Sequence, residues 1–541
     1  MGERGQDRLC RVHLGNHRGS RRDRRAHRPL ERGARRRGRG PGGLRPSRLL
    51  PLGGSRLRQE PLEPRLSHPF ARESSRRTAL GRRTLPVPLY RRKTRPEIFM
   101  KTKNAASKIL WPASAETAAV RAKHLLPLPG PMFAKPVQIV EGRMQFLYDE
   151  NGREYLDAFA GVATVSIGHC HPHFVQALRA QIDLLQHNPP LYLHPAVGAF
   201  AKRLAAKAKA VNPDMEVCFF TNSGSEANEM AAMLAKAHTG RHEFIAVQRS
   251  YHGRTLMTVA LTGQHAWRNL SPYPVGVSFT PADYAYRFDG TAEQSTKAAV
   301  KGLAELLKTG TSGKIAGFFA ETILGVGGAI TPGKSYFTEA VELVHRHGGL
   351  YVCDEVQTGV GRTGRHFFGI QHWGAKPDII VMAKGLGNGY PIGAVITTPE
   401  IAASVKGLLH YNTFGGGPMA MAAANAVLDV VEGSDLADNA ERVGARLMAG
   451  LEDAAAKSDK IGQVRGMGLM IGVELVKDKK TKEPAPELAL AVVDRMKDHG
   501  VLVGKGGLEG STVRIKPPLC LTAADADRVA EVFARSLQEA S

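Results

Sequence analysis

Two short apolar runs in this 541-residue chain each end on an ionisable residue. Leu350–Cys353 is followed by Asp354, and Ile379–Ala383 is followed by Lys384. Both runs are rich in aliphatic residues, with Gly349 directly before the first run and Pro377 two residues before the second. This pattern is typical of buried parallel strands. Because ligands of open α/β sheets bind beyond the carboxyl ends of the strands, we expect Asp354 and Lys384 to face one crevice.

A lysine and a carboxylate in one crevice are the pair that pyridoxal phosphate chemistry needs. Glycines at 385, 387 and 389 follow Lys384 and leave its amine room to form a Schiff base with an aldehyde. Asp354 could keep the nitrogen of a pyridine ring protonated, so that the ring accepts electrons. A salt-bridged pair on a solvated rim would use the same residue types, so the other motifs have to decide.

The basic charge of the chain is concentrated in its first hundred residues. Residues 1–100 contain 28 Lys and Arg against 8 Asp and Glu. Of the net charge of +24, residues 101–541 therefore carry only +4. The high isoelectric point thus does not make the body of the protein a nucleic-acid-binding protein. Residues 1–99 show neither helical nor strand periodicity, and we expect them to be disordered.

Three interpretations of residues 1–99 stay open. An Arg-rich tail could bind RNA. An organellar transit peptide is also Arg- and Ser-rich, but it is amphipathic and poor in acidic residues. In the third interpretation, which we favour, translation begins at Met100, because Lys, Asn and Ile become ordinary only there. We expect a cytoplasmic protein, or a mitochondrial one if the extension is a real transit peptide.

Several classes of site and location are not indicated by the sequence. The five cysteines are scattered without metal-ligand spacing, which favours free thiols in a reducing compartment. The sequence contains no run of eighteen apolar residues, so no membrane span is predicted. His169 and His171 lie on a loop with Gly and Pro but without an acidic neighbour in sequence, so we expect no metal site.

A second motif could bind a phosphate group. The strand-like run Val217–Phe220 leads to Ser223, Gly224 and Ser225, which stand at the start of an Ala- and Met-rich helix. Free backbone N–H groups and the positive end of the helix dipole favour a phosphate there. The same pattern occurs as a simple helix cap. Further helices are predicted over Phe174–Gln186 and Pro195–Ala210, and further strands over Glu243–Val247 and Ile315–Ala320.

Taken in order, these motifs resemble those of the class III aminotransferases, which are fold-type-I pyridoxal-phosphate enzymes. The resemblance covers roughly Leu126 to the C-terminus and is strongest to the alanine–glyoxylate aminotransferase 2 and 4-aminobutyrate aminotransferase branches. It implies an α/β fold with a large, mainly parallel sheet and a smaller α+β domain. The expected divisions are a basic extension at 1–99, an N-terminal part of the small domain at 100–175, a large cofactor-binding domain at 176–432 and a C-terminal small domain at 433–541.

The resemblance also implies roles for individual residues. Lys384 and Asp354 would be catalytic, and Arg254 and Arg514 would bind substrate carboxylates. Tyr251 would stack on the ring of the cofactor. Thr413 would reach the phosphate of a neighbouring subunit, which implies a homodimer or a dimer of dimers with shared sites. The complete set expected to contact pyridoxal phosphate is Ser223, Gly224, Ser225, Tyr251, His252, Glu321, Asp354, Val356, Gln357, Lys384 and Thr413.

The chain departs from the family pattern after Glu321. Thr322 and Leu324 stand where the family has Pro and Gln, which leaves the geometry of this loop open. Val326 stands where the 4-aminobutyrate and ornithine enzymes have a second glutamate that pairs with an active-site arginine. A valine there resembles the alanine–glyoxylate aminotransferase 2 branch.

The expected function is ping-pong transamination. The donor would be alanine or a β-, γ- or ω-amino acid, and the acceptor a keto acid such as glyoxylate, pyruvate or 2-oxoglutarate. An aminomutase on the same fold is an alternative, and nucleic-acid binding through the basic tail is a third hypothesis. Arg514 favours the transferase, because a second carboxylated substrate has to be bound in turn.

Overall fold

The computed structural model describes residues 111–127, 132–268 and 276–541. The predictions for residues 1–99 lie outside the described residues. The N-terminal described part begins with a helix and a three-stranded antiparallel meander, as the turn residues Asp149–Gly152 predict. Its elements are α1 (Ser114–His124), β1 (Ile139–Arg143), β2 (Phe146–Asp149), β3 (Glu154–Asp157), α2 (Ala160–Ala163) and α3 (Pro172–Leu184).

The middle of the chain forms a seven-stranded sheet with helices on both faces. Its elements are α4 (Pro195–Ala208), β4 (Val217–Thr221), α5 (Gly224–Thr239), β5 (Phe244–Val247), α6 (Leu256–Leu261), β6 (Val277–Thr280), α7 (Ala292–Thr309), β7 (Gly317–Glu321), α8 (Tyr336–Arg346), β8 (Leu350–Asp354), β9 (Ile379–Met382), β10 (Gly393–Thr397), α9 (Pro399–Ala403) and α10 (Pro418–Gly433). A 3-10 turn, Lys384–Leu386, follows β9.

The strand order is β4-β10-β9-β8-β7-β5-β6. β10 runs antiparallel to both neighbours, while β7, β8 and β9 are parallel to one another. Alternate residues of β8 pack into two separate apolar cores, Tyr351 and Cys353 on one face and Leu350 and Val352 on the other. The expected mainly parallel α/β sheet is therefore confirmed, and its continuous apolar strands are explained by burial on both faces.

The C-terminal part has its own sheet and its own apolar core. Its elements are α11 (Leu436–Ala456), β11 (Ile461–Met467), β12 (Met470–Leu475), α12 (Pro486–Asp498), β13 (Val501–Leu502), β14 (Gly504–Gly506), β15 (Thr512–Ile515) and α13 (Ala523–Ala540). The sheet has the order β11-β12-β15-β14. β13 belongs instead to the N-terminal sheet, where it pairs in parallel with β3. Leu156 of β3 is part of the C-terminal core. The domain limits stay predictions.

No helix in the part of the chain that the structure describes is both long and apolar enough to cross a lipid bilayer. The described cysteines, Cys170, Cys218, Cys353 and Cys520, are free thiols.

Candidate active site

The carboxyl ends of β7, β8 and β9 open into a cavity of about 300 Å³. Glu321 and Asp354 are paired residues at the ends of β7 and β8, and Asp354 lies opposite Val381 of β9. Lys384 follows three residues later and also faces the cavity. The parallel register thus brings together the residues that the sequence places at strand ends. Ten of the predicted site residues line the cavity, namely Ser223, Gly224, Ser225, Tyr251, His252, Glu321, Asp354, Val356, Gln357 and Lys384.

Asp354 is held by three hydrogen-bond donors before any ligand is considered. Its Oδ2 accepts from Asn228 Nδ2 at 2.9 Å and lies 2.8 Å from His252 Nδ1. Its Oδ1 accepts from the backbone N–H of Val356 at 3.1 Å. Asp354 is only 4% exposed. These contacts fix the direction of the carboxylate toward the cavity.

Lys384 adopts a left-handed backbone conformation with φ of 45°. Such a conformation is costly for a residue with a Cβ and occurs preferentially at functional sites. Within the described residues, no hydrogen bond to its Nζ is found. Burial lowers the pKa of Lys384 and the charge of Arg514 acts in the same direction, while Asp354 and Glu321 oppose the shift. The amine is therefore easier to deprotonate than an ordinary lysine.

The N-terminus of α5 offers backbone donors to an anion. Ser223 caps the helix by accepting from the N–H of Glu226 at 3.2 Å. Among the described residues, the N–H groups of Gly224 and Ser225 have no acceptor. Gly253 passes close to this turn with φ of 139°, and a Cβ on it would lie 2.3 Å from Ser225 Oγ. A glycine is needed there to keep the loop against the helix terminus.

An aromatic and an aliphatic side chain supply apolar surface to the cavity. Tyr251 lines it and makes an edge contact with Trp267, with ring centroids 4.9 Å apart. Its backbone N–H donates to Glu321 Oε1 at 2.8 Å, and the N–H of Gly325 donates to Glu321 Oε2 at 2.8 Å. Val356 supplies the aliphatic surface. Burial raises the pKa of Glu321, and its two backbone donors oppose this shift.

Arg514 is buried beside the cavity rather than in its lining. Its Nε and Nη2 both donate to the carbonyl of Lys505, at 3.1 and 2.7 Å. Its Nη1 is buried and has no partner. The guanidinium carbon lies 5.4 Å from the ring centroid of Phe159. Burial lowers the pKa of Arg514 to about 10, with the charge of Glu321 as a partial offset.

Besides Arg514, two further predicted residues lie outside the cavity of the single chain. Arg254 is exposed, although its charge lowers the pKa of Tyr251 against the larger effect of burial. Thr413 is also exposed and stands next to the exposed Phe414. Neither residue lines the cavity.

The departure from the family pattern after Glu321 has a local explanation. Thr322 Oγ1 donates to the buried carboxylate of Glu355 at 2.6 Å. Glu355 also accepts from Thr358 Oγ1 and from the backbone N–H groups of Gly369 and Ile370. Leu324 packs into the apolar core beneath the sheet. The threonine therefore adds a donor that a proline could not supply.

Sequence reasoning missed some residues that shape the site. Asn228 on α5 binds Asp354 and also donates to the carbonyl of His252 at 3.0 Å. An asparagine inside an Ala- and Met-rich helix is unusual, and this is the sequence signal that points to Asn228. Lys516, fully buried after β15, contacts Gln357 at 2.8 Å. The other missed lining residues are Thr164, Asn222, Gly253, Ala383, Gly389, Tyr390, Pro391 and Ile392.

The histidine pair considered for metal binding has a different environment. His169 Nε2 lies 2.7 Å from Asp157 Oδ2, an acidic partner that is close in space but not in sequence. In residues 111–127, 132–268 and 276–541, no group of three or more His, Cys, Asp or Glu side chains could hold a metal ion.

The cavity fits the requirements of pyridoxal phosphate. A fixed carboxylate suits a protonated ring nitrogen, and the unused N–H groups at the start of α5 suit a phosphate. The deprotonatable amine of Lys384 suits the aldehyde. Asp354 stands at the end of β8, Lys384 follows β9, and the N–H groups lie at the start of α5. Each of the three features is therefore supplied by a different element.

Comparisons with known proteins agree with this fit. The pattern of the family described as Aminotransferase class-III matches residues 131–537. Alanine–glyoxylate aminotransferase 2 homolog 2, mitochondrial, of Arabidopsis thaliana is 44% identical over 429 residues, or 79% of this chain and 88% of that protein. Alanine–glyoxylate aminotransferase 2, mitochondrial, of Homo sapiens is 38% identical over 442 residues, with 78% and 85% covered.

Solved structures give the same result for the fold. An (S)-enantioselective omega-transaminase from Thermomicrobium roseum has a TM-score of 0.74 and 31% identity, covering 80% of this chain and 99% of its own. A PLP-bound amine transaminase from an uncultivated Pseudomonas species has a TM-score of 0.71 and 31% identity, covering 77% and 98%.

These relatives are transferases, so the comparisons do not favour the aminomutase alternative. Since the family pattern spans most of the chain and the cavity supplies what its cofactor requires, this chain belongs to the class III aminotransferases and is a pyridoxal-phosphate-dependent transaminase that acts on amino and keto acids.

Proposed function

We propose that the enzyme passes the amino group of alanine, or of a β-, γ- or ω-amino acid, to a small keto acid such as glyoxylate, pyruvate or 2-oxoglutarate. The observation that carries this proposal is the unpartnered Nη1 of the buried Arg514. A buried cationic donor without an acceptor is costly, and a substrate carboxylate would complete it. Val326, which stands where some family members have a glutamate that pairs with an active-site arginine, supplies no carboxylate. The names of the relatives, which contain alanine and glyoxylate, support the same substrates.

The proposed mechanism assigns one task to each group. When bound, pyridoxal phosphate supplies an aldehyde that takes up the amino group and a ring that accepts electrons. The Lys384 amine would hold the aldehyde and, when free, would remove and return the substrate proton, for which its lowered pKa is suited. Asp354 holds a proton on the ring nitrogen. Arg514 orients the substrate carboxylate.

The remaining assignments concern binding. Ser223, Gly224 and Ser225 are proposed to hold the phosphate at the N-terminus of α5. Tyr251 and Val356 are proposed to enclose the ring, and Gln357 to donate to its hydroxyl oxygen. His252 and Glu321 support the carboxylate and the loop around the ring. Arg254 is proposed to bind a substrate carboxylate from the rim.

A panel of half-reactions tests the substrates. Each amine is added to the purified holoenzyme without a keto acid, and the loss of the visible absorbance of the bound cofactor is followed. Alanine and β-, γ- or ω-amino acids should bleach the absorbance, and glyoxylate or pyruvate should restore it. A cofactor that bleaches only with amines that carry no carboxylate would overturn the proposed substrate class and the role of Arg514.

We further propose a homodimer with shared active sites. The segment around Thr413 exposes large apolar side chains that a single chain leaves uncovered, and a second such segment lies at 191–193. These side chains are Leu191, Tyr192, Leu193, Leu408, Leu409, Tyr411 and Phe414. Clusters of exposed large apolar side chains are typical of an interface. Thr413 would then reach the phosphate in the cavity of the second copy.

Mixed dimers test the shared site. K384A and T413A chains are each expected to have low activity by themselves. In a mixed dimer, one of the two sites receives both changes and the other receives neither. Mixing the two variants should therefore restore activity, whereas a site built from one chain would show no gain. Sedimentation of the wild-type enzyme gives the oligomeric state independently.

The compartment is proposed from the relatives. Their names contain the word mitochondrial, which supports the alternative that residues 1–99 act as a transit peptide over the cytoplasmic assignment. Fluorescent fusions of the chain with and without residues 1–99, expressed in eukaryotic cells, test this. Mitochondrial signal that depends on residues 1–99 would support the alternative, and diffuse signal from both fusions would support the cytoplasm.

A further inference from the structure

A second lysine, Lys516, is buried close to the cavity and has no task in the proposed mechanism. It directly follows β15 and is 0% exposed. Its backbone N–H donates to the carbonyl of Ala158 at 2.8 Å, which fixes the start of the side chain. Its Nζ donates to the carbonyl of Gly325 at 3.1 Å and to Oε1 of Gln357 at 2.8 Å. The side chain therefore links the C-terminal sheet to the segments that follow β7 and β8 of the seven-stranded sheet.

The contacts of Lys516 match an uncharged amine. An uncharged amine has two N–H donors, and the structure supplies two acceptors, neither of which is a carboxylate. Burial lowers the pKa of Lys516 well below its ordinary value, and the charges of Arg514, Lys384 and Arg362 act in the same direction, while Glu321 opposes them. An uncharged amine leaves no buried charge without a partner.

The amide of Gln357 is fixed by these contacts. Its Oε1 is occupied by Lys516, so Nε2 remains as the donor for a group in the cavity that Gln357 lines. Gly325 lies directly against the amide, since a Cβ there would be 2.4 Å from Nε2, 2.5 Å from Cδ and 2.6 Å from Oε1. The glycine gives the amide its space, and the same residue supplies the second acceptor for Lys516.

We propose that Lys516 is a positioning residue that fixes the Gln357 amide with its N–H group toward the ring oxygen of the cofactor. The inference rests on the proposed contact of Gln357 with that oxygen. Without Lys516, the amide could rotate by half a turn and present its own oxygen to the ring oxygen. An N–H donor stabilises the deprotonated ring oxygen, and an acceptor does not.

The pH titration of the bound cofactor reads out this orientation. The visible absorbance of the holoenzyme is measured against pH for the wild type and for K516M, in which Met keeps the volume of the side chain but donates no hydrogen bond. We expect the midpoint of the titration to rise by about one pH unit in K516M, because a hydrogen bond to a charged group is lost. A midpoint equal to that of the wild type would overturn the inference.

A matched control separates this effect from the loss of any buried lysine. Lys497 on α12 is also buried, and it is paired with Asp494 and Asp498 away from the cavity. K497M makes the same chemical change at a distance from Gln357. It should leave the midpoint unchanged, and an equal shift in K497M would contradict a specific role of Lys516.

A double-mutant cycle tests whether Lys516 acts through Gln357. Q357A by itself should raise the midpoint, and K516M should add nothing in the Q357A background. A full additional shift in the double variant would show that Lys516 acts on the cofactor by another route and would overturn the inference. A purely structural loss of stability would move the thermal unfolding of the variants without this pattern.

Folding and the proposed function are controlled separately. If K516M does not fold, K516Q, which keeps an N–H donor on a shorter side chain, should shift the midpoint in the same direction by a smaller amount. If neither variant folds, Lys516 is a requirement of the fold and the inference is wrong. A wild-type enzyme without cofactor absorbance would contradict the proposed function, whereas an unshifted K516M contradicts only the inference.

Discussion

Residues at the carboxyl ends of β7 and β8 and on the strand β15 both influence the pKa of Lys384. The two regions differ in how many of their polar groups already have a hydrogen-bond partner. At the sheet edge, Asp354 accepts three hydrogen bonds and Glu321 accepts two from backbone N–H groups. On β15, Arg514 keeps a buried nitrogen without a partner. Saturated groups are fixed before a ligand arrives, while an unsaturated group gains its partner only on binding. The cofactor end of the site is thus preorganised, and the substrate end is left incomplete.

The largest effect should come from Lys384→Ala at the sheet edge. Turnover should fall by about 10⁴-fold or more, because both the attachment point of the cofactor and the proton carrier are lost. Steady-state rates and mass spectrometry after borohydride reduction measure the two losses. The control is Lys376→Ala, an exposed lysine just before β9, which should retain both. Retained turnover in Lys384→Ala would remove the central assignment.

Asp354→Asn should keep the cofactor bound but lower the rate by about 10³-fold, since an amide cannot hold a proton on the ring nitrogen. Cofactor content and single-turnover rates are measured together. Asp378→Asn is the control at the opposite end of β8 and β9, where Asp378 accepts from the N–H of Tyr351 and pairs with His345. It should affect stability rather than rate. A mild kinetic loss in Asp354→Asn would show that the saturated carboxylate is structural.

Arg514→Lys sharpens the comparison at the open end. The catalytic efficiency kcat/KM for amino and keto acids should fall about 10- to 100-fold, because a charge-assisted hydrogen bond worth about 1.5–3 kcal/mol is lost. The half-reaction with an amine that has no carboxylate should be unaffected and serves as the internal control. Equal losses for both kinds of substrate would mean that Arg514 supports the fold instead.

The smallest effect is expected for Thr322→Val beneath the sheet edge. Removing the hydroxyl leaves Glu355 with one donor fewer and should lower the free energy of unfolding by about 1–3 kcal/mol. Urea unfolding of the holoenzyme measures the change. Thr322→Ser keeps the hydroxyl and should lose less. If both variants unfold alike, the Glu355 contact contributes nothing.

The two regions also differ in how far their structure can be predicted from the sequence. β8 and β9 are continuous apolar runs, and their ends could be located within a residue, so that Asp354 and Lys384 could be placed at one cavity. The direction of β10 and the pairing of β13 with β3 depend on contacts between residues far apart in the chain, which local patterns do not contain.

Side-chain contacts across elements were the least predictable. Asn228 lies in a helix, and its partner Asp354 is 126 residues away in the chain. Lys516 follows a strand, and its partner Gln357 is 159 residues away. The exposed position of Arg254 and Thr413 outside the cavity likewise reflects tertiary arrangement rather than residue type. Their proposed roles stay predictions.

The left-handed backbone of Lys384 means that the side chain needed for activity lowers the thermal stability of the protein at this position. Glycine is the residue that such a dihedral angle suits, and it would relax the chain by about 1 kcal/mol relative to alanine. A glycine variant at 384 should therefore survive heating better than the alanine variant, although both are inert. Selection for heat tolerance alone would therefore replace Lys384, the side chain on which the proposed activity depends.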